Sequence, residues 1–227
     1  MVNANQQCCG YGVMKLSDAQ GQDVSHCGSI ELKNYTLTGK FKSSGAANVQ
    51  SSQLNHITSS GALNMVHSVA NDVFSSGAFS AVDCQRIGSI VSSGGTFLSR
   101  CREIGPITAS GGFSMSASKV HGRVVLSGDK AEISDSSIEN RVVSSNRIIK
   151  VVDSSIREIV LKPCKNSRWF GLFGRFSGSA QIVPQKVILA GKSCRVDQIR
   201  FEEGATGKVV LNDVVNVPKV FGGQIER

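Results

Sequence analysis

Proline occurs only four times in 227 residues and aromatic side chains make up 6% of the chain. No stretch approaches the ~18 consecutive apolar residues of a membrane-crossing helix. Each shortage excludes something. So little proline rules out a proline-rich linker, and Gly, at 24 residues, is far below the one third of a collagen-like chain. Apolar residues at 40% with 19% charged are too hydrophobic a balance for a disordered chain. The opening Met1-Val-Asn-Ala-Asn-Gln-Gln-Cys8-Cys9 lacks a basic segment followed by an apolar one. No secretory leader is read there, and a cytoplasmic location is expected, with leaderless export left open. Seven cysteines, an odd number scattered from 8 to 194, point to free thiols in a reducing compartment.

The net charge of +8 is unevenly placed. Residues 1–140 hold ten basic and ten acidic side chains, residues 141–200 hold twelve and three, and residues 201–227 hold three and four. A partner drawn by charge is therefore met in 141–200.

What the chain does have is a repeat. Ser-Ser-Gly or a close variant ends at Gly45, Gly61, Gly77, Gly94, Gly111 and Gly128, in steps of 16 or 17. The ruler extends back to Gly28 and forward to Asn146, giving about eight repeats over 28–162. Apolar residues keep step two and four places after the Gly, as in Ile30 and Leu32, Leu63 and Met65, and Phe113 and Met115. A third column runs Leu37, Leu54, Ala70, Ile87, Ile104, Val120, Ile138, Ile156, and a fourth runs Phe41, Ile57, Val73, Ile90, Ile107, Val124, Val142, Ile159. Alternation at period two predicts short strands, and the flanking Ser, Gly and Asn predict corners. A unit this short is below the roughly 20–29 residues of a leucine-rich repeat and well below helical repeats. The fold class is therefore all-β, a single-stranded parallel β-helix with coils of about 16–18 residues. One coil cannot bury its apolar side chains alone, whereas stacked coils make a continuous core. The corner Gly is expected to adopt positive φ and to let adjacent corners stack closely.

This divides the chain into a cap with a degenerate first coil at 1–27, a regular solenoid at 28–162, an insertion at 163–180 and irregular C-terminal coils with a cap at 181–227. The insertion holds the only Trp, three of the ten Phe and no acid. Arg168, Trp169, Phe170, Phe173, Arg175 and Phe176 are its candidate binding residues: rings suited to a membrane interface or a partner, with cations suited to anionic lipid. Its plainer reading is a loop folded back to cap the rod. Stacking on nucleic-acid bases ranks below both.

Cys84 and Cys101 each stand seven places after a repeat Gly, in a column assigned as Ser52, Ser68, Ser118, Asp135 and Asp153. Adjacent sulfurs suit a disulfide or half a metal site, but no His shares the column and two further ligands are not evident, so a packed ladder of small residues is the expectation. Asp135 and Asp153 resemble the carboxylate pairs of polysaccharide-cleaving β-helices. Nearby Arg141, Arg147 and Lys150 favour ion-paired corners instead. The four His residues share no column, and no acidic partner is evident for them. No metal site and no cofactor are expected.

The segments Ala109-Ser-Gly-Gly-Phe113 and Val125-Leu-Ser-Gly-Asp129 resemble the serine-glycine corners of bacterial GIN-type adhesin-head domains. The short coil is also similar, more weakly, to bactofilins, cytoskeletal proteins that polymerise and often bind membrane. The resemblance covers 28–162 and implies a structural, non-enzymatic rod. The expected function is docking of a protein partner or an anionic membrane through the basic aromatic segment. The alternatives are a self-assembling scaffold and a carbohydrate-binding or carbohydrate-cleaving β-helix.

Overall fold

The computed structural model describes residues 6–8, 12–166, 181–214 and 216–227. They form a parallel β-solenoid built from two long sheets that share every coil. The path of the first sheet starts at Gln6–Cys8 and ends at Lys219–Phe221; the second runs from Val13–Ser17 to Gln224–Glu226, with twelve strands in order. All pairings within both sheets are parallel, each coil bonded to the next. No helix occurs among the described residues, and none there is long and apolar enough to cross a membrane.

The four apolar columns of the sequence are the core. In the second sheet one column passes through Met14, Ile30, Ala47, Leu63, Phe79, Thr96, Phe113, Ala131, Ile149, Val187, Val209 and Ile225 in strict register. The first-sheet columns through Leu37 and Phe41 continue to Val196 and Ile199. Strand burial alternates, as in Ala47–Gln50, so only every second side chain meets the core. Fully burying such a Val, Leu, Ile or Phe contributes roughly 1.5–3 kcal/mol. Thr96 is the polar exception, buried with its hydroxyl unpartnered.

The corners differ from the sequence expectation in a specific way. The Ser-Ser-Gly glycines do not have positive φ. They are glycine because their Cα atoms lie against the backbone of the coil before: a Cβ on Gly45 would stand 2.5 Å from the Gly28 carbonyl oxygen. Asn146, taken as a left-handed stand-in for Gly, is likewise not left-handed; it is fully buried and its Oδ1 accepts a bond from the Ser144 hydroxyl. Positive φ belongs to the opposite corner, at Asp18, Asn34, Ser51, His67, Asp83, Arg100, Ala117, Asp135 and Asp153, one per coil. Each donates its N–H to a carbonyl of the next coil, as Asp83 does to Ser99 (2.9 Å). Short polar side chains tolerate this backbone better than most, which explains the abundance of Asp and Asn there.

From Ser51 to Asp153 the residue immediately after each left-handed one is a buried small side chain, whereas Asn34 is followed by buried Tyr35. The column reads Ser52, Ser68, Cys84, Cys101, Ser118, Ser136, Ser154 and Cys194. Asp135 and Asp153 therefore do not belong to the cysteine column; the two coils there are longer by one residue, and Ser136 and Ser154 take that place. Each hydroxyl donates to a carbonyl two residues back, as Ser136 does to Ser134 (2.6 Å), and accepts an N–H from the coil before, as Ser136 does from Ser118 (3.1 Å). The result is a hydrogen-bonded ladder inside the corner, where an unpaired N–H would be costly.

Beyond residue 162 the same two sheets resume. Strand Ile148–Val152 pairs directly with Gln185–Ala190, and Ser155–Leu161 with Arg195–Phe201. Between them, Cys164–Asn166 and Gln181–Val183 pair antiparallel, the one such pairing among the described residues.

Candidate functional site

The candidate binding residues Arg168, Trp169, Phe170, Phe173, Arg175 and Phe176 lie outside the described residues. The structure does place their anchor. The short two-stranded stem Cys164–Asn166/Gln181–Val183 brings the two ends of the insertion together, and the coils on either side stack on one another without it. The chain between the stem strands is thus not required for the parallel ladder.

Around the stem, Arg147 bridges Asp129 (3.2 Å), and the Cys164 thiol is pushed up chiefly by burial, with the Asp129 charge adding to it. Arg200 bonds Glu158, which also accepts from Gln198 (2.8 Å), so Glu158 sits below the usual carboxylate range, held there first by Arg200. A one-residue bulge between Ile138 and Arg141 opens a small polar notch beside this pair, lined by Asn140, Arg141, Arg157 and Asp197.

A larger shallow groove, about 770 Å³, follows the left-handed corner over several coils. Arg102 and Lys119 line one end and Asp135, Asp153 and Ser193 the other. Asp153 accepts the Ser193 N–H (3.0 Å). Serine hydroxyls and charges of both signs line it, with no aromatic ring. Cys101 lies at its floor, fully buried, and neither it nor Cys84 is in a disulfide. The neighbouring Cys101 thiol, with burial second, pushes the Cys84 thiol up, which removes nucleophilic character. No group of three or more potential metal ligands occurs among the described residues.

Contrary to the reading that no acidic partner is evident, three histidines have one on the adjacent coil. His56 lies 2.8 Å from Asp72, His121 2.7 Å from Glu139, and His67 3.9 Å from Asp83. Ser89 donates to the other oxygen of Asp72 (2.6 Å). This puts the carboxylate between serine and imidazole, whereas nucleophile activation needs the imidazole in the middle. Glu139 is held low first by Lys119 and then by His121.

Sequence reasoning also missed an outward column on the first sheet, Thr58, Phe74, Val91, Thr108 and Val125 in register. Phe74 is 47% exposed and Val91 39%. The next two members, Val143 and Val160, face the same way yet are buried.

No known family model matches the chain, and neither a curated protein nor a solved structure matches it. The class the fold defines is a parallel β-solenoid.

Proposed function

We propose that this solenoid is a non-catalytic interaction protein that docks a protein partner or an anionic membrane through the basic aromatic segment containing Arg168, Trp169, Phe170, Phe173, Arg175 and Phe176. The observation that carries this reading is the stem: coils 148–152 and 185–190 pair directly, so the solenoid ladder is complete without the insertion. A segment that is basic, aromatic and superfluous to the ladder is suited to recognition. Lys165 in the stem and Lys162 and Lys186 near it add further cations. The textural resemblance to GIN-type adhesin heads and to bactofilins fits a rod of this kind.

The test is co-sedimentation with vesicles of phosphatidylcholine containing phosphatidylserine. The intact chain binds, binding falls with salt, and the Trp169→Ala/Phe173→Ala variant loses it while its β-sheet circular dichroism is kept. Equal binding by the variant overturns the assignment of these residues, and binding that ignores lipid charge overturns the membrane arm in favour of a protein partner.

A second reading, carbohydrate binding, is favoured by the groove at Asp135 and Asp153. Asp135→Asn would then weaken retention on an immobilised glycan array; retention that is absent from the start removes this reading.

A further inference from the structure

We infer that the two ends of the rod bind each other: the strand Gln224–Glu226 of one copy adds to the Val13–Ser17 edge of a second copy of this chain. The register sets Ile225 against Met14 and Glu226 against Lys15. This goes beyond the docking reading and does not depend on it.

The two strands are the ends of the second sheet. Among the described residues Val13–Ser17 pairs only with Ser29–Lys33, and Gln224–Glu226 only with Gly207–Asn212. Among the described residues each has a strand on one side only, and such an edge is a template for another strand. Met14 and Ile225 are also the two ends of one core column. Ile30 and Val209, the neighbours just inside, are fully buried, whereas Ile225 is 46% exposed and Met14 and Leu16 are half-buried. The apolar column thus runs out to both ends. A copy shifted along the rod axis continues it, and keeps the parallel pairing used between all its other coils.

Charge selects this joint over the alternatives. Lys15 bridges Glu31 on its inner side (3.0 Å), and Glu226 bridges Lys208 on its inner side (2.6 Å). Head to tail, Glu226 falls beside Lys15 and the signs alternate across the junction. Head to head, antiparallel about the strand centre, would set Lys15 against Lys15, and tail to tail about Ile225 would set Glu226 against Gln224, so only head to tail pairs opposite charges. A head-to-tail contact is heterologous, so it does not close on itself and extends with concentration.

Sedimentation velocity of the full chain at rising concentration and low salt tests this. The expected result is a mass that grows with concentration. Lys15→Glu alone and Glu226→Lys alone each weaken association, by about three- to fivefold, the scale of an exposed ion pair. A one-to-one mixture of the two variants restores it, because every junction in an alternating assembly again joins opposite charges. Ile225→Asp weakens association further. Hydrogen exchange on the unmodified chain gives the same answer without substitution: amides of Val13–Ser17 and Gln224–Glu226 gain protection as concentration rises. A mass of one chain at every concentration, or a mixture no better than either variant, overturns the inference. That outcome leaves the Trp169 vesicle measurement unaffected.

Discussion

Arg100 grips Asp83 with two parallel hydrogen bonds, Nε to Oδ1 at 2.6 Å and a terminal nitrogen to Oδ2 at 2.8 Å. The two residues occupy the same corner position on adjacent coils, both with left-handed backbone, φ 52° and 54°. The fork of the guanidinium matches the carboxylate in a way a lysine would not. The Arg100 hydrogen bond is the first cause holding the Asp83 carboxyl below its ordinary value of 3.8, and the imidazole of His67 adds a smaller pull. A depressed acid contributes stability that is complete above the unfolded value and lost as pH falls through the folded one. The contribution is therefore present near neutrality and disappears only below pH 3.8. NMR titration of Asp83 should show a midpoint below 3.8 that rises toward it in Arg100→Ala. A midpoint that does not move would mean the pair is not formed in solution.

The buried Thr96 hydroxyl lacks a partner in an otherwise apolar column between Phe79 and Phe113. Thr96→Val keeps the shape and removes the unpaired group. Stability should rise by about 1 kcal/mol, the scale of an unsatisfied buried polar group, seen as a higher midpoint in denaturant. A lower midpoint would show that the hydroxyl is bonded after all.

Gly94 and Gly95 are neighbours with opposite requirements. A Cβ on Gly94 would run into the Gly77 carbonyl, while a Cβ on Gly95 meets nothing within 4 Å. Gly94→Ala should cost about 1–3 kcal/mol through overpacking. Gly95→Ala should gain about 0.4–1 kcal/mol by restricting the unfolded chain. Other coils already carry alanine at the Gly95 position, at Ala46, Ala62 and Ala78. Thermal melts of the two variants should move in opposite directions.

Cys84 and Cys101 occupy serine places in the corner ladder, where each thiol donates to the carbonyl two residues back, Cys84 to Val82 and Cys101 to Ser99. Cys84→Ser and Cys101→Ser should change stability by less than about 1 kcal/mol, since the hydroxyl keeps the bond. Cys84→Val removes that bond and should cost about 0.5–1.5 kcal/mol. Iodoacetamide on the folded protein should label exposed Cys27 and spare Cys84 and Cys101. Rapid labelling of either buried thiol would contradict the ladder.

Much of this was legible from residue order. The four apolar columns, the coil length and the parallel stacking follow from period-two alternation locked to a 16–18-residue ruler, because only stacked coils bury such a pattern. The cysteines were read as ladder members for the same reason. The candidate site was far less legible: the aromatic insertion is marked by composition alone, and its geometry lies outside the described residues.

Other features required the fold. A coil longer by one residue moved Ser136, not Asp135, into the ladder, since register depends on where the extra residue is absorbed. The His–carboxylate pairs join side chains 16 to 18 residues apart, and the outward Phe74 and Val91 are apolar residues like any other until a sheet gives them a side. The chain order alone determined that the coils repeat and what they bury. Tertiary structure decided which corner takes the left-handed backbone and which takes glycine, because that choice depends on how closely one coil's backbone lies on the next, a distance no single repeat contains.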